Sequence, residues 1–317
     1  MPRLFVCLLL AFSLTRAPHT SADPGDEEIF IEVESALFSD PQNPRLRLEH
    51  ASLLLAHGRL AEAQDELRRA LLADPCLLPA IRLSITAAAE AGQERASRAF
   101  LQQAYALPEL GPLQRADFLG LEAALERRAG HLHRSIRLLE QALALAAEEQ
   151  VAPRADWVLN LADDLRLLGR ADQGIALLAD QWKRHRHGSI RRVLVDELIE
   201  TDHAKRALVM VNEAIESERL PYRWLNRRAE ILARADPVQA QADLAQSAAL
   251  MRPRLDSNRN DPELFAEWIG YLALSGSLQK GREQISEIDF SALSKADQRR
   301  IKRLLDLTPS PAEDQIP

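Results

Sequence analysis

Two pairs of histidines stand one residue apart, His131 with His133 and His185 with His187. On an extended segment, side chains two positions apart point the same way and can chelate a metal ion. No cysteine and no acidic cluster in the sequence completes a ligand set for either pair. They read as loop histidines, and no metal or other cofactor is expected. Adjacent carboxylates occur at Asp163 and Asp164. Successive residues on a helix point about 100° apart, so this pair reads as solvated or groove-facing helix surface, not as a catalytic dyad. HExxH, GxGxxG, Walker-type loops, CxxC, CxxCH and GxSxG are all absent. Ser275-Gly276-Ser277 reads as a turn. The chain is therefore expected not to be an enzyme.

The densest basic run is KRHRHGSIRR, which contributes Lys183, Arg184, Arg186, Arg191 and Arg192. Two readings stay open for it. It is either a patch for an anionic glycan, a lipid headgroup or an acidic partner, or a helix C-terminus whose cations complement the macrodipole. A second basic group is Arg223, Arg227 and Arg228, and its i,i+4 spacing puts Arg223 and Arg227 on one helix face.

The elements that must position these residues are helical. Of the 317 residues 46% are hydrophobic, enough to bury a large core and to exclude general disorder. Ala, Leu, Arg, Glu and Gln dominate, while Gly numbers only 12 and aromatics only 5%, which disfavours a β-barrel or β-sandwich. The formal charge is −7. A nucleic-acid ligand needs a dense basic surface, so none is expected.

Residues 1–22 have the parts of a secretory signal peptide: Arg3, the apolar run Leu4 to Leu14, and a polar stretch ending Thr20-Ser21-Ala22. Eleven apolar residues are too few to span a bilayer, which takes about twenty. Cleavage is expected after Ala22, because a cut after Ala17 would place Pro18 at the scissile bond. An uncleaved anchor or an amphipathic start is the alternative. Cleavage would move the formal charge to −9, leave Cys76 as the single cysteine, and leave no integral membrane span. The expected destination is the periplasm or the exterior.

The chain also repeats itself. Ala36-Leu37 and Asp40-Pro41 recur 34 positions later as Ala70-Leu71 and Asp74-Pro75, and Gly58 recurs as Gly92. Further turn residues follow at Gly130, Gly169, Asp202, Asp236-Pro237 and Gly276, spaced 33 to 40 positions apart. Around the first turn lie Ala51, Leu54, Ala63, Leu67, Ala70 and Pro75. Around later turns lie Ile81, Leu101 and Ala104; Leu119, Ala123, Leu139 and Ala142; and Leu161, Ala162, Leu165 and Leu178. Ala207, Val211 and Ala214 follow Asp202, and Trp268, Leu272 and Ile285 flank Gly276. Small residues let two helices approach, Gly can take the left-handed conformation that stops a helix, and Pro breaks the next turn.

This pattern resembles the tetratricopeptide repeat family over residues 27 to 290. The resemblance implies an all-α, right-handed α-solenoid: a half repeat at 27–41, about seven hairpins over 44–290 and a capping helix at 295–307. The whole would occupy 23–307 after the signal, with a disordered tail at 308–317. It also implies a groove lined by first helices, including Arg82, Thr86, Glu90, Arg127, Asn160, Asp163, Arg166 and Glu200. The family's clamp for a terminal carboxylate is not expected, since Asn160 lacks the accompanying Lys and Arg pattern. Exported relatives suggest a scaffold or adaptor with a protein partner in the cell envelope, in assembly or polysaccharide export. The alternative is binding of an anionic polysaccharide or lipid by Lys183 to Arg192.

Overall fold

The computed structural model describes residues 24–258, 261–285, 290 and 293–306. The expected signal peptide and the tail at 308–317 lie outside the described residues. Among those residues the chain is all-α. Helix α1 is Pro24–Ser39, α2 Pro44–Ala56, α3 Leu60–Ala73, α4 Leu78–Glu90, α5 Glu94–Tyr105, α6 Pro112–Arg128, α7 Leu132–Glu148 and α8 Ala155–Leu167. Then come α9 Ala171–His185, α10 Gly188–Glu200, α11 Ala204–Ser217, α12 Tyr222–Leu232, α13 Pro237–Ser257, α14 Pro262–Leu274, α15 Leu278–Ile285 and α16 Lys295–Asp306. They form two compact units, divided within α10 between Leu194 and Val195.

One backbone device recurs at the turns. Gly58, Gly92, Gly130, Gly169 and Gly276 all have φ between +71° and +83°, and Asp202 takes the same left-handed conformation at +59°. In each case the next residue donates its N–H back to the carbonyl five positions earlier. Arg59 bonds Leu54, Gln93 bonds Ala88, His131 bonds Glu126, Arg170 bonds Leu165, His203 bonds Leu198 and Ser277 bonds Leu272, each at 2.8 Å. This closes the first helix of the pair and satisfies a carbonyl that would otherwise be orphaned. The α12–α13 turn is built differently. Asp236 caps α13 through its side chain, which accepts from the Gln239 N–H at 3.0 Å, and Pro237 starts the helix.

Packing follows the same register. Five positions after each left-handed residue stands a small buried one: Ala63, Ser97, Ser135, Gly174, Ala207 and Gly281. At Gly174 an added β-carbon would lie 3.0 Å from the Ala162 carbonyl oxygen, so the helices approach closely there and a methyl group would press on that carbonyl. Leu54, Leu67, Leu139 and Leu178 are almost wholly buried. Each such side chain stabilises the fold by about 2 kcal/mol relative to exposure. In the N-terminal unit, first helices touch their counterparts in the next pair, α2 against α4 and α4 against α6.

In the C-terminal unit α12 touches α14 in the same way, and α16 lies on α14. The apolar side of α16, Ile301, Leu304 and Leu305, packs with Ala266, Ile269 and Ala273 of α14 and with Leu293.

Candidate functional site

The structure gathers four of the sequence-predicted groove residues of the N-terminal unit into one ionic cluster. Arg127, near the end of α6, reaches α8. Its guanidinium donates to the Asn160 carbonyl oxygen at 3.1 Å, contacts Asp164 at 2.9 Å, and pairs with Asp163. Arg166 holds the other oxygen of Asp163 at 2.8 Å. Arg82, Thr86 and Glu90 form a separate stripe on α4, where the Thr86 hydroxyl donates to the Arg82 carbonyl at 3.2 Å. Burial pushes the Glu90 carboxyl above its usual range, and the Arg128 charge opposes this. Glu200 ends α10 in the other unit.

Asp164 departs from the sequence expectation. It is buried, not solvated, and accepts a hydrogen bond from the Ser135 hydroxyl at 2.6 Å. Glu126 is likewise fully buried, yet sequence reasoning passed over it. Burial alone would raise its pKa, but hydrogen bonds from Arg98 and His131 and the charges of Arg98 and Arg134 hold it below the usual range. His131 is therefore a partner of Glu126, at 2.8 Å, and His133 is exposed. The rings of His185 and His187 lie 6.3 Å apart. Among the described residues no three His, Cys, Asp or Glu side chains converge as metal ligands. Cys76 is exposed.

The run from Lys183 to Arg192 wraps a tryptophan. Arg186 lies 4.9 Å and Arg191 5.0 Å from the centre of the Trp182 ring, Arg191 itself being buried. Arg184 pairs with Asp180 at 2.9 Å. Lys183 and Arg192 flank these contacts in sequence. Arg186 has φ of +54° and ends α9 as a left-handed cap.

The second basic group is not a surface patch. Arg227 is 1% exposed, because acidic side chains from neighbouring helices surround it. Its guanidinium bonds both oxygens of Asp196 on α10, at 3.0 and 3.2 Å, pairs with Glu267 on α14, and lies 3.8 Å from Asp297 on α16. Glu267 also meets Arg223 at 3.1 Å and Arg300 at 3.3 Å, and its second oxygen accepts from the Asn226 amide at 3.2 Å. Burial would raise the Glu267 pKa, but Arg227, Arg300 and Arg223 outweigh it and hold the carboxyl at about 2. Arg228 turns away from this cluster, to Asp243 at 2.7 Å.

The turn register shows that the two clusters occupy equivalent places. Thr86 and Asp163 stand six positions before their turn residues, and so do Asp196, Glu230 and Gly270. Asn160 stands nine before, and so do Arg227 and Glu267. The same register positions of the first helices thus carry the polar residues in each unit taken by itself. Both clusters pair charge with charge across neighbouring helices.

Solved structures similar to this chain are tetratricopeptide-repeat proteins. One from Parabacteroides merdae superposes with a TM-score of 0.51 at 12% identity, over 78% of this chain and 92% of that one. PilF of Pseudomonas aeruginosa superposes with a TM-score of 0.50 at 15% identity, over 65% of this chain and 91% of the other. At these identities the likeness is one of fold. No protein-family model and no curated protein matches the chain.

Proposed function

We propose that this tetratricopeptide-repeat fold serves as a non-enzymatic scaffold or adaptor that binds another protein of the cell envelope, in envelope assembly or polysaccharide export. The observation that carries the binding reading is the register itself. Polar side chains at fixed offsets from the turns, Thr86, Asn160 and Asp163 among them, align along first helices that touch one another. That arrangement suits an extended or helical partner rather than a small molecule. The envelope location rests on the sequence of residues 1–22, and none of the described helices is long and apolar enough to cross a membrane. The alternative, an anionic glycan or lipid on Lys183 to Arg192, is weakened by the pairing of Arg184 with Asp180 and the stacking of Arg186 and Arg191 on Trp182.

The test is to express the chain with its native start, place a photo-crosslinking residue at Arg82, Thr86 or Glu90, and fractionate the cells. A chain beginning at Asp23 and crosslinked to one envelope protein supports the proposal. An unprocessed cytoplasmic chain sinks the location, and absence of any specific crosslink sinks the adaptor reading.

A further inference from the structure

Helix α16 does not simply follow the last hairpin. Its three arginines turn to first helices. Arg299 reaches Glu197 on α10 at 2.7 Å, a residue 102 positions earlier. Arg300 reaches Glu230 on α12 at 3.1 Å and Glu267 on α14 at 3.3 Å, and Arg303 reaches Glu230 at 2.6 Å. Within the C-terminal unit, Glu230 and Glu267 hold the register positions of Asp163 and Asn160, and Glu197 holds that of Asp164. A helix of this chain therefore already lies where a partner helix would bind.

The face cannot comfortably stand empty. Without α16, Glu197, Glu230 and Glu267 would lose the guanidiniums of Arg299, Arg300 and Arg303. With α16 in place these three carboxylates are nearly inaccessible to water. Buried carboxylates stripped of their guanidiniums are strongly unfavourable, whereas exchanging one guanidinium donor for another is nearly neutral. The apolar side of α16 packs with Ala266, Ile269, Ala273 and Leu293, with Phe265, Leu274, Leu278, Ile285 and Phe290 around them, and the three arginines add the directional contacts that set which helix fits. The face thus selects for a helix of one chemistry: arginines at i, i+1 and i+4, with apolar residues at i+2, i+5 and i+6.

We propose that α16 is an intramolecular ligand, and that the face it covers on α10, α12 and α14 receives an arginine-rich amphipathic helix of a partner protein, which exchanges with α16. This inference rests on the protein-binding reading above and adds the partner's chemistry and a built-in competitor to it.

The test uses the full-length chain and a fluorescent peptide of residues 293–306, read by anisotropy. In the triple variant Arg299→Glu, Arg300→Glu, Arg303→Glu the native helix is repelled from its site. This variant should bind the wild-type peptide, and the wild-type chain should bind it about tenfold more weakly or less, because α16 competes. A peptide carrying the same three changes should not bind. Equal binding by both chains, or none by a variant whose circular dichroism shows it folded, overturns the proposal. Should the variant not fold, hydrogen exchange on the wild-type chain decides. Excess peptide should deprotect α16 while α10, α12 and α14 stay protected, and unchanged protection of α16 would count against exchange. Dimers of the released chain in light scattering would instead assign the face to a second copy and overturn the partner reading. A chain that crosslinks to an envelope protein at α4 yet never exchanges α16 overturns this inference alone.

Discussion

The guanidinium of Arg300 crosses α14 directly over Gly270. A β-carbon added to that glycine would lie 2.9 Å from Nη1 and 3.5 Å from Cζ. Arg300 is almost fully buried and is held at both Glu230 and Glu267, so it has little room to yield.

Gly270→Ala is accordingly expected to destabilise the protein, although Ala in a helix interior ordinarily gains about 0.5–1 kcal/mol over Gly. Overpacking of a filled site costs about 1–3 kcal/mol, and the net expectation is a loss of about 1 kcal/mol. Urea unfolding measures it. A double-mutant cycle identifies the cause: in an Arg300→Ala background the same substitution should become neutral or favourable. An unchanged penalty there would place the strain elsewhere.

A larger effect is expected in the N-terminal unit. A β-carbon on Gly120 of α6 would lie 2.9 Å from Cδ1 of Trp157 on α8 and closer still to Nε1. The indole is rigid and buried, with Arg154 over its ring at 5.9 Å. Gly120→Ala should therefore cost about 2–3 kcal/mol, more than Gly270→Ala. Thermal unfolding of the two variants under one set of conditions tests the order, and replacing Trp157 with Leu should recover part of the loss at Gly120.

How far this molecule could be read in advance depended on distance along the chain. Turns are local. Gly58, Gly92, Gly130, Gly169 and Gly276 were visible as helix stops, and each adopts the left-handed conformation that the pattern demanded. Ionic burial is not local. Arg227 depends on Asp196, 31 positions before it, and Glu267, 40 after it, so its charge read as surface. One signal was available nonetheless. Glu126 stands four positions before its turn glycine, where Leu54, Leu165, Leu198 and Leu272 stand in other repeats. A carboxylate at a leucine position of a repeat announces a buried partner. A capping helix at 295–307 was also expected, but nothing local specified which face of the fold it covers.

Asp202 offers a test of the turn itself. It holds φ at +59°, a conformation that costs a residue with a β-carbon about 1 kcal/mol and glycine almost nothing. Asp202→Gly should stabilise the protein by about 0.5 kcal/mol, the gain being reduced by the greater freedom of glycine in the unfolded chain. Gly92→Ala should do the opposite and cost about 1 kcal/mol. No heavy atom lies within 4 Å of the new β-carbon, so its cost is purely one of backbone conformation. Denaturant midpoints moving in the same direction for both variants would contradict the shared-turn interpretation.

The C-terminal unit should also be acid-sensitive in a defined window. Glu267 has a folded pKa of about 2 against an ordinary value of 4.5, so its ionised form favours the folded state at every pH above 4.5. That contribution, roughly 3 kcal/mol, is lost as the pH falls from about 4.5 to about 2. Asp297 acts with the opposite sign. Burial and the nearby Glu267 charge raise its pKa above 3.8 while Arg227 opposes, so it favours folding at low pH and loses that contribution as the pH rises through its folded pKa. It therefore offsets part of the loss. Comparison of urea stability at pH 7 and pH 3 should show a clear drop in the wild-type chain. In Glu267→Gln stability should be lower at pH 7, because Arg223, Arg227 and Arg300 lose their shared counter-charge, but the further loss between pH 7 and pH 3 should be much smaller. Glu126, depressed for its own reasons in the other unit, titrates in both chains, so the difference between their slopes reports Glu267 together with the part of the Asp297 shift that the Glu267 charge causes. Identical slopes would mean that the carboxylate is not held ionised by those three arginines, and that attachment of α16 does not depend on it.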